Sequence, residues 1–223
     1  MKLTPRPWTW ATPRLVEGWL NECSPDLPVV WQALLTDDAA ISSDLVSLLS
    51  AEERARLGRL QQPDDRQRFL IGRGLLRMLV GAQLRLPPER VEFQYGPFGK
   101  PFVVPRAGER PLHFNVSHSG KLILLAFHPA RDIGVDVEEM RGDLDCEAIA
   151  RRVFPAGEYR GWTLLNPQER LTAFFRAWTR HEAALKTLGL GFSDESNAAD
   201  DARLTYFDLQ MPEGYQGAVG CLH

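Results

Sequence analysis

Asp136 and Glu138 stand two residues apart in the segment DIGVDVEE (132–139), and a third carboxylate, Glu182, interrupts an apolar stretch further along. A spacing of two on an extended strand sends both side chains off the same face, roughly 7 Å apart. Gly134 beside them removes bulk where a ligand could approach. Alone, a D-x-E pair reads as a solvated strand face; Glu182 weighs against that. Wound as a helix at about 100° per residue, LTAFFRAWTRHEAALKTLG (171–189) has one apolar stripe of Leu171, Phe174, Phe175, Trp178 and Leu185. Glu182 projects from its middle, Lys186 follows one turn on, and Arg176 and Arg180 fall on the opposite, solvent-facing side. A carboxylate at a core-facing position has to be neutralised, paired or bound to a cation. An i, i+4 pair with Lys186 is worth only a few tenths of a kcal/mol, too little to explain the position. Mg²⁺ takes one or two carboxylates and fills its remaining positions with water and substrate phosphates. The acidic trio therefore points to a phosphate-containing substrate.

Other residues fit a phosphorylated ligand. Lys100 lies on the tight turn FGKP (98–101), where Gly and Pro fix the direction of its ammonium, and would act as a point charge. NVSHSG (115–120) offers Ser117, His118 and Ser119 at a strand end. Adjacent residues do not readily form a nucleophile–base pair and no nucleophile elbow is present, so ligand-binding polar groups are the better reading than a hydrolase. Arg54, Arg56, Arg66, Arg68, Arg73 and Arg77 form a basic cluster that either caps the edges of the core or, with Lys100 and Lys186, holds a multiply phosphorylated ligand. No P-loop, dinucleotide fingerprint or zinc-ligand spacing occurs.

Hydrophobic residues make up 44% and charged residues 25% of the 223, an ordinary globular composition. A net charge of −3 disfavours a dedicated duplex-DNA binder. Three scattered cysteines suit a reduced, cytoplasmic compartment. The opening MKLTPRPWTW lacks the apolar core of a signal peptide, and the longest apolar run, LILLAF (122–127), is too short to cross a bilayer. The patterning predicts strands over 27–35, 112–117, 121–128, 132–139 and 202–209, and a short pair within 87–104. It predicts helices over 42–60, 63–84, 146–153, 157–165 and 168–189. Strands and helices occur in each half, so an α+β architecture is expected, with an N-terminal half (1–131) and a C-terminal half (132–223).

In order, GKP (99–101), FNVSHSG (114–120), IGVDVEE (133–139) and FFRAWTRHEAALKTLGLG (174–191) resemble the signature set of the Sfp-type 4′-phosphopantetheinyl transferases. RFLIGRGLLR (68–77) and RVFPAGEY (152–159) match in spacing, and the resemblance spans roughly residues 27 to 192. One departure is visible: the family usually has Lys-Glu where His181-Glu182 stands here. The resemblance implies a monomer of two similar α/β halves related by pseudo-twofold symmetry, with coenzyme A in the cleft between them. It implies transfer of the 4′-phosphopantetheine arm of coenzyme A to a serine of an acyl or peptidyl carrier protein, as in fatty-acid or polyketide biosynthesis, releasing adenosine 3′,5′-bisphosphate. Carried over position by position, Asp136, Glu138 and Glu182 would bind Mg²⁺ (or Mn²⁺), and Lys100, Ser117 and His118 would contact the phosphates. Arg68 and Arg56 would lie near the adenosine end and Lys186 by the pyrophosphate, with Glu182, Lys186 and Asp136 carrying catalysis. No nucleic acid or membrane is implied. The residues alone also admit a metal-dependent phosphohydrolase acting on a nucleotide or coenzyme A diphosphate, or a non-catalytic coenzyme A-binding protein.

Overall fold

The computed structural model describes residues 1–10, 17–190 and 201–223; Gly191, the last residue of the fourth motif, lies outside them. Two four-stranded sheets are built to one plan. The first runs β2 (Arg6–Pro7), β3 (Val29–Leu34), β7 (Leu122–His128), β6 (His113–Ser119). The second runs β1 (Lys2–Leu3), β9 (Leu204–Leu209), β10 (Tyr215–Leu222), β8 (Ile133–Glu139). In each, a two-residue edge strand pairs parallel with its neighbour and the remaining pairings are antiparallel. Each sheet packs a 22-residue helix, α3 (Pro63–Leu84) or α6 (Pro167–Leu188), and both helices carry Pro in the first turn. Proline is tolerated there because the N–H it lacks would have no intrahelical partner. The architecture is mixed α+β, as the pattern predicts. β1 joins the sheet otherwise made from residues 133–222. A small hairpin, β4 (Gln94–Tyr95) with β5 (Pro101–Phe102), carries the FGKP turn. No described helix is long and apolar enough to cross a membrane.

All seven residues of β7 are buried, which explains its unbroken apolar run. Ile123, Leu125 and Phe127 join the cluster beneath α3 with Leu75, Leu76 and Leu79. Leu122, Leu124 and Ala126 turn the other way, onto Ile133, Val135, Val137 and Val219 of the second sheet. One strand thus serves two cores. The aromatic stripe of α6 packs Phe174 and Phe175 against Phe154, which caps α4 (Cys146–Val153), and Trp162 of α5 (Ala156–Thr163).

Two expectations are corrected. The helix predicted over 42–60 is two, α1 (Ala39–Leu48) and α2 (Ala51–Arg59), because Ser50 starts a new helix with a capping box. Glu53 N–H donates to Ser50 Oγ (3.2 Å) and Ser50 N–H to Glu53 Oε2 (2.9 Å). Gly134 leaves room for helix α6 and not for a ligand: a Cβ there would lie 2.2 Å from Ala183 O and 2.4 Å from Thr187 N. Gly220 on β10 makes the same allowance, its Cβ position falling 2.8 Å from Thr187 Oγ1. Gly134 and Gly220 hold α6 close over the sheet, and Gly217 and Gly220 hid β10 from the strand pattern.

The close approach is testable. Gly134→Ala forces backbone apart at about 1–3 kcal/mol, so its Tm in a thermal melt is expected about 2–12 °C below wild type. Gly142→Ala, with nothing within 4 Å of its Cβ position, is expected to melt with wild type.

Candidate active site

β6 and β8 are edge strands of different sheets, and side chains join them. Asn115 Oδ1 accepts from Val135 N–H (3.0 Å), Ser117 Oγ from Val137 N–H (3.3 Å) and Ser119 Oγ from Glu139 N–H (3.1 Å). Polar residues at every second position of β6 thus satisfy a row of β8 donors that an edge strand would otherwise expose. The same hydroxyls donate to the acidic side chains between those donors, Ser117 to Asp136 Oδ1 (3.0 Å) and Ser119 to Glu138 Oε2 (2.9 Å).

Helix α6 supplies the other wall. Lys186 Nζ donates to Asp136 Oδ1 (2.6 Å) and Ser117 Oγ (3.1 Å). Asp136 is 3% exposed and Glu182 4%. Burial raises the pKa of Asp136, against the pull of Lys186 and Ser117. Burial, then the charge of Asp136, also raises Glu138. Glu182 is pushed up to about 7 by burial first, then by the charges of Asp136 and Glu138, with Lys186 opposing. Glu138 and Glu182 both feel the charge of Asp136, so the trio shares one electrostatic neighbourhood. Three acidic groups face one ammonium, and two buried oxygens, Asp136 Oδ2 and Glu182 Oε1, have no hydrogen-bond partner.

Those two oxygens suit a divalent cation. Oxygen-only, carboxylate-rich donors are what Mg²⁺ prefers, and a cation would compensate charge that burial leaves exposed to a low dielectric. Among the described residues no three His, Cys, Asp or Glu side chains form a preassembled cage; Asp136 is turned to Lys186 instead.

The remaining candidates separate. His118 is exposed, within reach of the charges of Arg68 and Lys186. Arg68 donates to Gly120 O (3.0 Å) and pairs with Asp65 (2.7 Å), which places it at the end of the β6–β7 turn. Arg56 is exposed and lies over the ring of Phe69 at 5.1 Å. Lys100 is spent on two carbonyls, Ile133 O (2.8 Å) and Lys186 O (2.7 Å), tying the FGKP turn to the start of β8 and the end of α6. Burial lowers its pKa to about 8. Most of the basic cluster is structural. Arg77, 2% exposed, bonds Glu53 Oε2 (2.6 Å), Pro88 O and Val91 O. Arg73 pairs with Glu53 (3.5 Å) and lies over Phe93 and Tyr95. Arg66 caps Leu57 O, and Arg54 reaches Leu49 O. Arg176 and Arg180 leave the solvent face in part to clamp Asp208. His181 is buried, its ring 6.1 Å from that of Trp178. Asn115 was not among the expected site residues, and Ser119 was expected only as a polar group at the strand end; the signal for both was the period-two polar pattern of β6.

A family model described as 4′-phosphopantetheinyl transferase, N-terminal, matches residues 38–130, and one for the 4′-phosphopantetheinyl transferase superfamily matches residues 132–214. The chain is 39% identical over 164 residues to the 4′-phosphopantetheinyl transferase HetI of Nostoc sp., covering 74% of this chain and 69% of the relative. It is 38% identical over 146 residues to the 4′-phosphopantetheinyl transferase AcpT of Escherichia coli, covering 65% and 70%. To the transferase Sfp of Bacillus subtilis it is 31% identical over 150 residues, covering 66% and 63%. With the motifs in order and similarity over most of the chain, this protein belongs to the 4′-phosphopantetheinyl transferase family.

Proposed function

We propose that this protein transfers the 4′-phosphopantetheine arm of coenzyme A to a serine of an acyl or peptidyl carrier protein, with release of adenosine 3′,5′-bisphosphate, and that the transfer depends on Mg²⁺ or Mn²⁺. The observation that carries the metal dependence is the acidic trio, two of its members buried, with two unpartnered oxygens beside a single lysine. The three relatives are named as transferases of this kind. On this reading the substrate cleft runs along β6 and β8, between halves 1–131 and 132–223. The protein acts as a cytoplasmic monomer on fatty-acid, polyketide or nonribosomal-peptide carriers.

Phosphoryl transfer needs positioning and neutralisation of charge on the phosphate oxygens more than covalent help. Asp136, Glu138 and Glu182 would hold Mg²⁺, which supplies that neutralisation at the diphosphate when bound. Lys186 Nζ adds a mobile positive charge at the same place; it leaves Asp136 for a phosphate oxygen. His118 and Arg68, at the rim, bind and orient the nucleotide end. The carrier serine Oγ forms a bond to the pantetheine-bearing phosphorus as the bond to the bridging oxygen breaks. Its proton passes to Glu182, directly or through water. Burial and the neighbouring carboxylates raise the proton affinity of Glu182, and a bound cation would lower it again.

Two outcomes are expected. Glu182→Gln is expected to slow transfer by about 10²–10⁴-fold, the usual worth of a general base, while coenzyme A binding survives. The readouts are the mass gain of one phosphopantetheine arm on the carrier and titration calorimetry. Release of adenosine 3′,5′-bisphosphate without mass gain would instead indicate hydrolysis. In metal-free protein the folded state holds the Glu182 proton up to about pH 7, against 4.5 for an ordinary glutamate. The folded state binds the extra proton, so stability is expected to fall as pH rises across that window and to level off above it. Thermal melts of Glu182→Gln are expected to show a shallower fall.

A further inference from the structure

We propose that Ser117 and Ser119 are positioning residues that aim the acidic trio, and that Ser117 is not a phosphate contact. A hydroxyl donates once and accepts twice. Ser117 Oγ uses all three capacities on protein, donating to Asp136 Oδ1 (3.0 Å) and accepting from Lys186 Nζ (3.1 Å) and Val137 N–H (3.3 Å). Its one hydrogen is spent on Asp136, and a phosphate oxygen has none of its own to offer, so the hydroxyl has nothing to give a phosphate even when Lys186 moves away. Ser119 Oγ repeats the arrangement two residues on, donating to Glu138 Oε2 (2.9 Å) and accepting from Glu139 N–H (3.1 Å).

Each hydroxyl thus grips a carboxylate with one hand and the next backbone N–H with the other. That fixes the side chain against its own strand; for Asp136 it leaves Oδ2 without a partner, while Glu138 also takes a hydrogen bond from Trp178. Hydrogen bonds of this kind behind metal ligands are worth about 10–100-fold in metal affinity. Asn115 provides an internal comparison. It makes the same seam bond, to Val135 N–H, but the residue between the donors there is Gly134, with no side chain to orient.

The inference rests on reading the trio as the cation site, and the experiment separates the two. Mn²⁺ alone is titrated into metal-free protein and followed by electron paramagnetic resonance, alongside thermal melts and transfer kinetics, for Ser117→Ala, Ser119→Ala, Ser119→Thr and Asn115→Ala. The expected result is Mn²⁺ affinity weakened about 10–100-fold in both serine-to-alanine variants, with lower kcat and KM for coenzyme A within about twofold. Ser119→Thr restores the affinity. Asn115→Ala lowers Tm as the serine variants do but binds Mn²⁺ as wild type does. Unchanged Mn²⁺ affinity in the serine variants, an equal loss in Asn115→Ala, or a raised KM in Ser117→Ala with Mn²⁺ affinity intact would overturn the proposal. If Ser117→Ala does not fold, the partly exposed Ser119 decides alone. Wild-type protein that binds coenzyme A but no Mn²⁺ would sink the reading of the trio, and the inference with it.

Discussion

Two sheets meet along β6 and β8 without a backbone ladder, and the rest of the molecule is arranged around that constraint. An edge strand buried without partners leaves its N–H groups unsatisfied, at a cost of roughly 1–3 kcal/mol each. Asn115, Ser117 and Ser119 remove that cost for Val135, Val137 and Glu139. Only one side of the seam is backbone, so the hydroxyls keep a proton to donate. That spare capacity reaches Asp136 and Glu138. The device that joins the halves also aims the acids.

Placing three carboxylates, two of them buried, around one lysine works against stability, as the upward shifts of Asp136, Glu138 and Glu182 record. Functional sites commonly carry such perturbed groups, with the cost met by packing elsewhere. Here β7 contributes to two cores at once, with Ile123, Leu125 and Phe127 under α3 and Leu122, Leu124 and Ala126 against β8 and β10. Gly134 and Gly220 let α6 lie directly on β8 and β10. Glu182 and Lys186 therefore stand on a rigid element, one turn apart, over the strand that carries Asp136 and Glu138.

The arginines show how charge is allotted. Arg77 and Arg73 converge on Glu53, a residue already fixed by the capping box of α2. A buried guanidinium needs a carboxylate and carbonyls to satisfy its five donors, and Glu53, Pro88 and Val91 supply them for Arg77. Arg68, on the same helix α3, escapes that role because it reaches the β6–β7 turn. One helix thus sends some arginines inward and another to the site.

The sequence alone determined the mixed α+β class, the two long helices, the strands β6 to β8 and the anomaly at Glu182, because hydrophobic period and composition are local and a carboxylate within an apolar stripe breaks them visibly. It also held the family motifs in order. Tertiary structure decided what depends on partners distant in the chain. The arginines of α3 cannot be sorted into structural and ligand-facing groups without knowing where Glu53 and Gly120 lie. Gly134 looks like space for a ligand until Ala183 and Thr187 are seen to fill it. β10 carries Gly217 and Gly220, and the second is explained only by the helix pressed against it. Asn115, Ser117 and Ser119 read as polar residues on a strand until β8 arrives to accept them: a hydrogen bond needs two groups, and a local pattern shows only one.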